Sequence, residues 1–140
     1  MKTFGVLVGF VAILGAVGSV RAESNDRCTL LTQAEATSAL GAPVGPGKVA
    51  ISGCQWGQIG GDGFVQVEVA GARYYQRPPK TAKMISGIGL EAYTYSQLGS
   101  PHAMAKTNKS VIAVWASGDK ASPEKVIDLL GVVVHRVERD

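Results

Sequence analysis

Apolar and polar positions change period several times along this chain, and each change marks an element. Phe4 to Val20 are apolar apart from glycines and one serine. After a polar stretch, Thr32-Gln33-Ala34-Glu35 has the spacing of a capping box. There the threonine hydroxyl accepts from the amide three residues on, and the glutamate reaches back. Leu31, just before the cap, can pack on Ala36. The pattern predicts a short helix to about Leu40, stopped by Gly41 and then Pro43. Ala36, Ala39 and Leu40 form its buried stripe. Residues 42–52, with Gly-Pro-Gly at 45–47, read as a loop.

A period of two follows. Val65, Val67 and Val69 alternate with Gln66 and Glu68, the signature of a strand with one buried face. With Cys54–Ile59 before it and the turn Gly60-Gly61-Asp62-Gly63 between, Phe64–Ala70 completes an antiparallel hairpin. Arg77-Pro78-Pro79 leads into a short middle helix over Lys80–Ile85, because proline is tolerated in a first helical turn. Gly87-Ile88-Gly89 then ends it. Strands are expected at Glu91–Ser96, His102–Lys106 and Val111–Ala116, with Gly99-Ser100-Pro101 and Asn108-Lys109 turning between them. Val111–Ala116 is apolar on both faces. That marks a central strand whose second face is covered by helices. Ser122-Pro123-Glu124 starts a terminal helix, whose apolar positions Val126, Leu129, Leu130, Val133 and Val137 recur at helical spacing. It is expected to reach about Val137, with Gly131 costing about 1 kcal/mol relative to alanine. The order α-β-β-α-β-β-β-α predicts an α+β domain. Its antiparallel sheet has about five strands, with N-terminal, middle and C-terminal helices packed mainly on one face.

The apolar start changes how composition is read. Lys2, the run of 17 residues from Phe4 to Val20, and Val20-Arg21-Ala22 together form a secretory signal peptide. Cleavage is expected after Ala22. The run is short for an apolar layer of roughly 30 Å, and no later stretch reads as a transmembrane helix. The 140-residue chain has 14 Lys plus Arg against 11 Asp plus Glu, a net charge of +3. Removing residues 1–22 takes away Lys2 and Arg21 and no acid. That leaves 118 residues, 12 basic against 11 acidic, and a net charge of +1. One domain, residues 23–140, is expected. The remaining excess of charge is too small to expect a nucleic-acid partner. A periplasmic or secreted location is expected.

The cysteine count fits that location. Cys28 and Cys54 are the only two cysteines and lie 26 positions apart. In an oxidising compartment they form one structural disulfide. A redox pair would be closer in sequence, and a zinc site would need further ligands. The segment 23–27 is too polar to end a lipoprotein signal.

The run Cys28-Thr29-Leu30-Leu31-Thr32-Gln33-Ala34-Glu35, then Leu40-Gly41 and Cys54-Gln55-Trp56, resembles small exported bacterial proteins of the DUF3558 kind, a domain of unknown function. Gly87-Ile88-Gly89-Leu90-Glu91-Ala92-Tyr93 and Val111–Trp115 resemble the second half of those proteins more loosely. The resemblance implies an exported α+β domain with a disulfide. It implies no catalytic chemistry, and this chain departs from the many lipoprotein members in lacking a lipidation site.

Candidate chemistry is sparse. His102 and His135 are the only histidines, and neither has a neighbouring acid or cysteine at metal-ligand spacing. No nucleophile elbow, zinc-protease helix or phosphate loop occurs, so no catalytic residue, metal or cofactor is assigned. Glu35 and Glu124 are explained by helix starts. Glu91 is the least explained acid, with Arg73, Arg77 or a ligand as its expected contact. The aromatic residues carry the binding expectation. Tyr74 and Tyr75 precede the Pro78-Pro79 segment, while Tyr93 and Tyr95 lie beyond it. Brought together with Arg73, Arg77 and Glu91, they would form a patch for a partner protein, a glycan or a small amphipathic ligand. Trp56 and Trp115 are expected to be core anchors. These readings favour a noncatalytic exported binding or interaction module of the bacterial cell envelope. A small hydrolase with a histidine-centred site and an envelope structural protein are the alternatives.

Overall fold

The structure is a computed structural model that describes residues 27–140. The signal peptide expected at residues 1–22 lies outside the described residues. Within them the elements are α1 (Gln33–Leu40), β1 (Lys48–Ala50), β2 (Gly53–Gly57), β3 (Phe64–Gly71), β4 (Lys83–Ile85), β5 (Glu91–Gln97), β6 (Ser100–Lys106), β7 (Ser110–Ser117) and α2 (Pro123–Arg139).

Local chemistry sets the helix ends. Thr32 Oγ1 accepts from the Glu35 amide at 3.1 Å, and Glu35 Oε2 accepts from the Thr32 amide at 2.8 Å, closing the capping box. Gly41 ends α1 at φ 71°, a left-handed conformation that costs glycine little. Ser122 caps α2, and Pro123 occupies its first turn. Although its three consecutive valines, 132–134, are poor helix formers, α2 runs on to Arg139. Burial of Val126, Leu129, Leu130, Val133 and Val134 against the sheet outweighs the propensity.

The sheet is antiparallel throughout, in the order β1-β2-β3-β7-β6-β5-β4. It consists of two meanders, β1–β3 and β4–β7, joined where β3 pairs along its whole length with β7. The apolar strand Val111–Ala116 is therefore central, as its two-faced pattern predicts. One face of the sheet meets both helices. Cys54, Trp56, Val65, Val67, Ile112 and Val114 pack there with Leu40, Val126, Leu130 and Val133 as one core. Ala103 and Ala105 on β6 are fully buried on the same face. Their small side chains admit the backbone of α2, which lies over β6 and β7. Cys28 and Cys54 are disulfide-bonded and tie the chain ahead of α1 to β2.

Four expectations are corrected. The sheet has seven strands rather than five. Lys48–Ala50, expected in a loop, pairs with β2. The middle helix is absent, because Lys83–Ile85 is a strand on the free edge of β5, with Met84 opposite Tyr93. Six residues after two prolines make a poor helix nucleus, and they carry no apolar stripe to bury. Pairing with β5 satisfies their backbone instead. Finally, no helix covers the second face of β7. The described residues contain two α-helices, and both lie on the other side.

Two short connections show why the β5–β6–β7 register is tight. Leu98 and Gly99 both have positive φ, 50° and 78°, and form a two-residue hairpin turn. Thr107 Oγ1 accepts from the amides of Lys109 and Ser110 at 3.3 and 2.9 Å, closing the β6–β7 hairpin.

Candidate functional site

The helix-free face carries a row of flat rings set by strand register. Tyr95 on β5 pairs with His102 on β6, and His102 pairs with Trp115 on β7. Adjacent strands lie about 4.8 Å apart, which suits ring stacking. The Tyr95 and His102 rings stack at 5.0 Å and 20°, and the His102 and Trp115 rings at 5.4 Å and 14°. Neighbouring rows add Met104, Ala113 and Glu68 through the registers Met104↔Ala113 and Glu68↔Ala113. The segment 72–82 leaves β3 and must reach β4 at the opposite edge of the sheet. On its way the short 3-10 turn Ala72–Tyr74 leans on β7, and the Tyr93 hydroxyl donates to the Gln76 carbonyl at 3.1 Å. Between this strap and the ring row lies a groove of about 370 Å³ lined by Glu68, Tyr74, Gln76, Tyr95, His102, Met104, Ala113 and Trp115, among others. Another hollow of about 330 Å³, between residues 107–110 and the end of α2, contains no aromatic ring.

The expected patch is brought together in part. Tyr74 is 59% exposed and lines the groove. Arg73 lies 4.8 Å over the Tyr74 ring and donates to its hydroxyl at 3.0 Å. Tyr95 is half-buried in the ring row. Tyr93 is 1% exposed, buried on the helix-free face with its ring 5.9 Å from that of Tyr95 and its hydroxyl 3.0 Å from the Met104 sulfur as well as bonded to Gln76. Tyr75 meets Tyr93 edge-on at 6.2 Å, and the Lys106 ammonium lies 5.4 Å over its ring. Arg77 lines a neighbouring hollow with Pro79, Thr81, Tyr93 and Tyr95. Glu91 is outside the groove and forms no ion pair with Arg73 or Arg77 among the described residues. It lies beside Tyr75 instead. Burial first, and then the Glu91 carboxylate, push the Tyr75 phenol up to about 12. The buried Tyr75 hydroxyl has no well-formed hydrogen bond.

His102, Met104, Trp115 and Glu68 belong to the groove, yet none of them was expected there. Trp115 in particular is only partly buried, on the helix-free face, whereas Trp56 is 1% exposed in the core as expected. A signal for two of them was present. In β6, His102, Met104 and Lys106 alternate with Ala103 and Ala105, and a helix approaches closely only over the small residues. The bulky set therefore faces away from α2. Trp115 has no such marker, because both faces of β7 are apolar.

Electrostatics separate the two ionisable groups in the groove. Desolvation holds the His102 imidazole below its ordinary value, so it is neutral near pH 7. Desolvation raises the Glu68 carboxyl, while Gln66 and the charge of Arg27 oppose the rise. Gln66 Nε2 donates to Glu68 Oε1 at 3.2 Å. Sandwiched between two rings, the His102 side chain makes no hydrogen bond or ion pair with another described residue. His135 is exposed on α2, away from the groove. No group of three or more metal-ligating side chains occurs among the described residues, and no described helix is long and apolar enough to cross a membrane. The groove can hold an apolar or flat body against its rings and offer a carboxylate and amides at its edge. No known protein family, curated protein or solved structure matches the chain.

Proposed function

We propose that this protein is an exported, noncatalytic binding module of the bacterial cell envelope, and that it takes a small amphipathic ligand in the groove on the helix-free face. The observation that carries this reading is the stacked row Tyr95–His102–Trp115, left without a covering helix in a groove of about 370 Å³. Ligand sites are concave, mostly apolar and furnished with a few polar groups, and this volume is at the small end of their range. The likeness of the Cys28–Glu35 and Cys54–Trp56 motifs to exported DUF3558 proteins supports the location. So does the disulfide, a bond that persists in oxidising compartments.

The test is chemical-shift mapping of the processed protein with a panel of small aromatic amphiphiles. Saturable shifts centred on Tyr95, His102 and Trp115, lost in Trp115→Val, are the expected result. Shifts that cluster elsewhere, or chemical turnover of a ligand that His102→Gln abolishes, would refute the reading.

A further inference from the structure

The groove has one carboxylate among rings and amides, and its position relative to Trp115 is specific. Glu68 lies opposite Ala113, and Trp115 is two residues further along β7, so the two are diagonal cross-strand neighbours. Diagonal neighbours on one face are within reach of long and aromatic side chains. His102 covers one face of the Trp115 indole, while on its other flank β3 places Gln66 directly opposite Trp115 and Glu68 on the diagonal. Among the described residues, Glu68 accepts one side-chain hydrogen bond, at Oε1 from Gln66. Glu68 forms no ion pair among the described residues.

Two cations near the groove are already seated on rings. Arg73 lies over Tyr74 and Lys106 over Tyr75. Glu68, bonded to Gln66 and within the field of Arg27, remains a half-buried carboxylate without an ion pair among the described residues, diagonal to the Trp115 indole. Carboxylate and ring together attract an ammonium group by charge and by the quadrupole of the ring. We propose that Glu68 and Trp115 form an ammonium subsite, and that the ligand of the groove is a small aromatic amine. The aromatic body fits the remaining groove over Met104 and Ala113 against the edge of the ring row, and the volume admits a ligand of that size rather than a large one. This inference rests on the groove being the binding site.

Calorimetric titration with three indoles of nearly equal size tests it at about pH 8, where carboxylates and amines are both charged. The probes are tryptamine, 3-methylindole and indole-3-acetate. Tryptamine is expected to bind at least roughly tenfold more tightly than 3-methylindole, with indole-3-acetate weakest. Glu68→Gln should bring tryptamine down to the level of 3-methylindole, with an unchanged far-ultraviolet circular dichroism spectrum reporting that the variant is folded. Trp115→Val should weaken both. Equal binding of the amine and the neutral indole, or tighter binding of the acid, overturns the ammonium subsite and leaves the groove standing as a binding site. Failure of all three to bind overturns both.

Discussion

The two faces of the same sheet solve burial in opposite ways. On the helix-covered face, Val65, Val67, Ile112 and Val114 interlock with Leu130 and Val133, and these side chains are fully buried. Shape complementarity there comes from branched aliphatic groups and from alanines that let α2 approach. On the helix-free face, the cross-strand neighbours are Tyr95, His102 and Trp115, whose rings cover one another and remain only partly buried. One face therefore holds the molecule together, while the other is finished only on one flank by the strap of residues 72–82. A sheet face lined by stacked rings can stay open to solvent because each ring buries its neighbour. It also presents a surface on which another flat molecule gains the same contact.

The comparison is tested by removing pieces of each face. The largest loss belongs to the covalent tie on the helix side. Replacing both Cys28 and Cys54 by serine opens a loop of 26 residues and is expected to cost about 3–4 kcal/mol, read from the midpoint of urea unfolding. Leu130→Ala, at a fully buried position, should cost about 3 kcal/mol. Trp115→Val on the open face should cost less than Leu130→Ala and act on ligand binding instead. Equal losses from the Leu130 and Trp115 variants would show that the open face is as structural as the covered one.

A smaller effect concerns the bond between the two helices. Arg136 on α2 grips both oxygens of Glu35 at 2.7 Å each and also donates to the Leu30 carbonyl at 2.8 Å. The Arg136 hydrogen bond is the main cause that lowers the Glu35 carboxyl to about 2. The folded value lies below the ordinary 4.5, so this contribution to stability is complete above about pH 4.5. It is lost as pH falls toward 2. Both side chains are about one-third exposed, so solvent screening leaves about 1–2 kcal/mol. Glu35→Gln should thus destabilise by that amount at pH 7, with the gap from the parent closing by about pH 2 in thermal melts.

The smallest effect has the opposite sign. A methyl group at Gly131 would meet Ile88 Cδ1 at 3.7 Å, an ordinary contact. Gly131→Ala should therefore raise stability by about 0.5–1 kcal/mol through helix propensity alone, as a shift of the melting midpoint.

Much of the covered face was legible in the sequence. Thr32-Gln33-Ala34-Glu35 specified its own cap, Val65–Val69 its own alternation, and Ser122-Pro123-Glu124 its own helix start. The edge strands were not legible. Lys48–Ala50 and Lys83–Ile85 are three residues each, too short to show a period and extended only because a neighbouring strand supplies partners. The placement of the expected site residues was half legible. Tyr75, Tyr93 and Tyr95 do meet ring to ring, but Tyr93 lies buried, Arg77 lines a neighbouring hollow with Tyr93 and Tyr95, and Glu91 sits by Tyr75 outside the groove.

What the sequence determined by itself were features encoded within a few residues of one another: helix caps, turn residues, strand alternation and the pairing of its only two cysteines. Tertiary structure alone decided which faces of β5, β6 and β7 share a side, and hence that Tyr95, His102 and Trp115 stack in line. It also decided that Glu35, a capping residue by its spacing, meets Arg136 from 101 positions away. The physical reason is the same in each case. Caps and alternation depend on local geometry, whereas a ring row and an ion pair exist only once strand register and helix docking have fixed distant backbones to within a few ångströms.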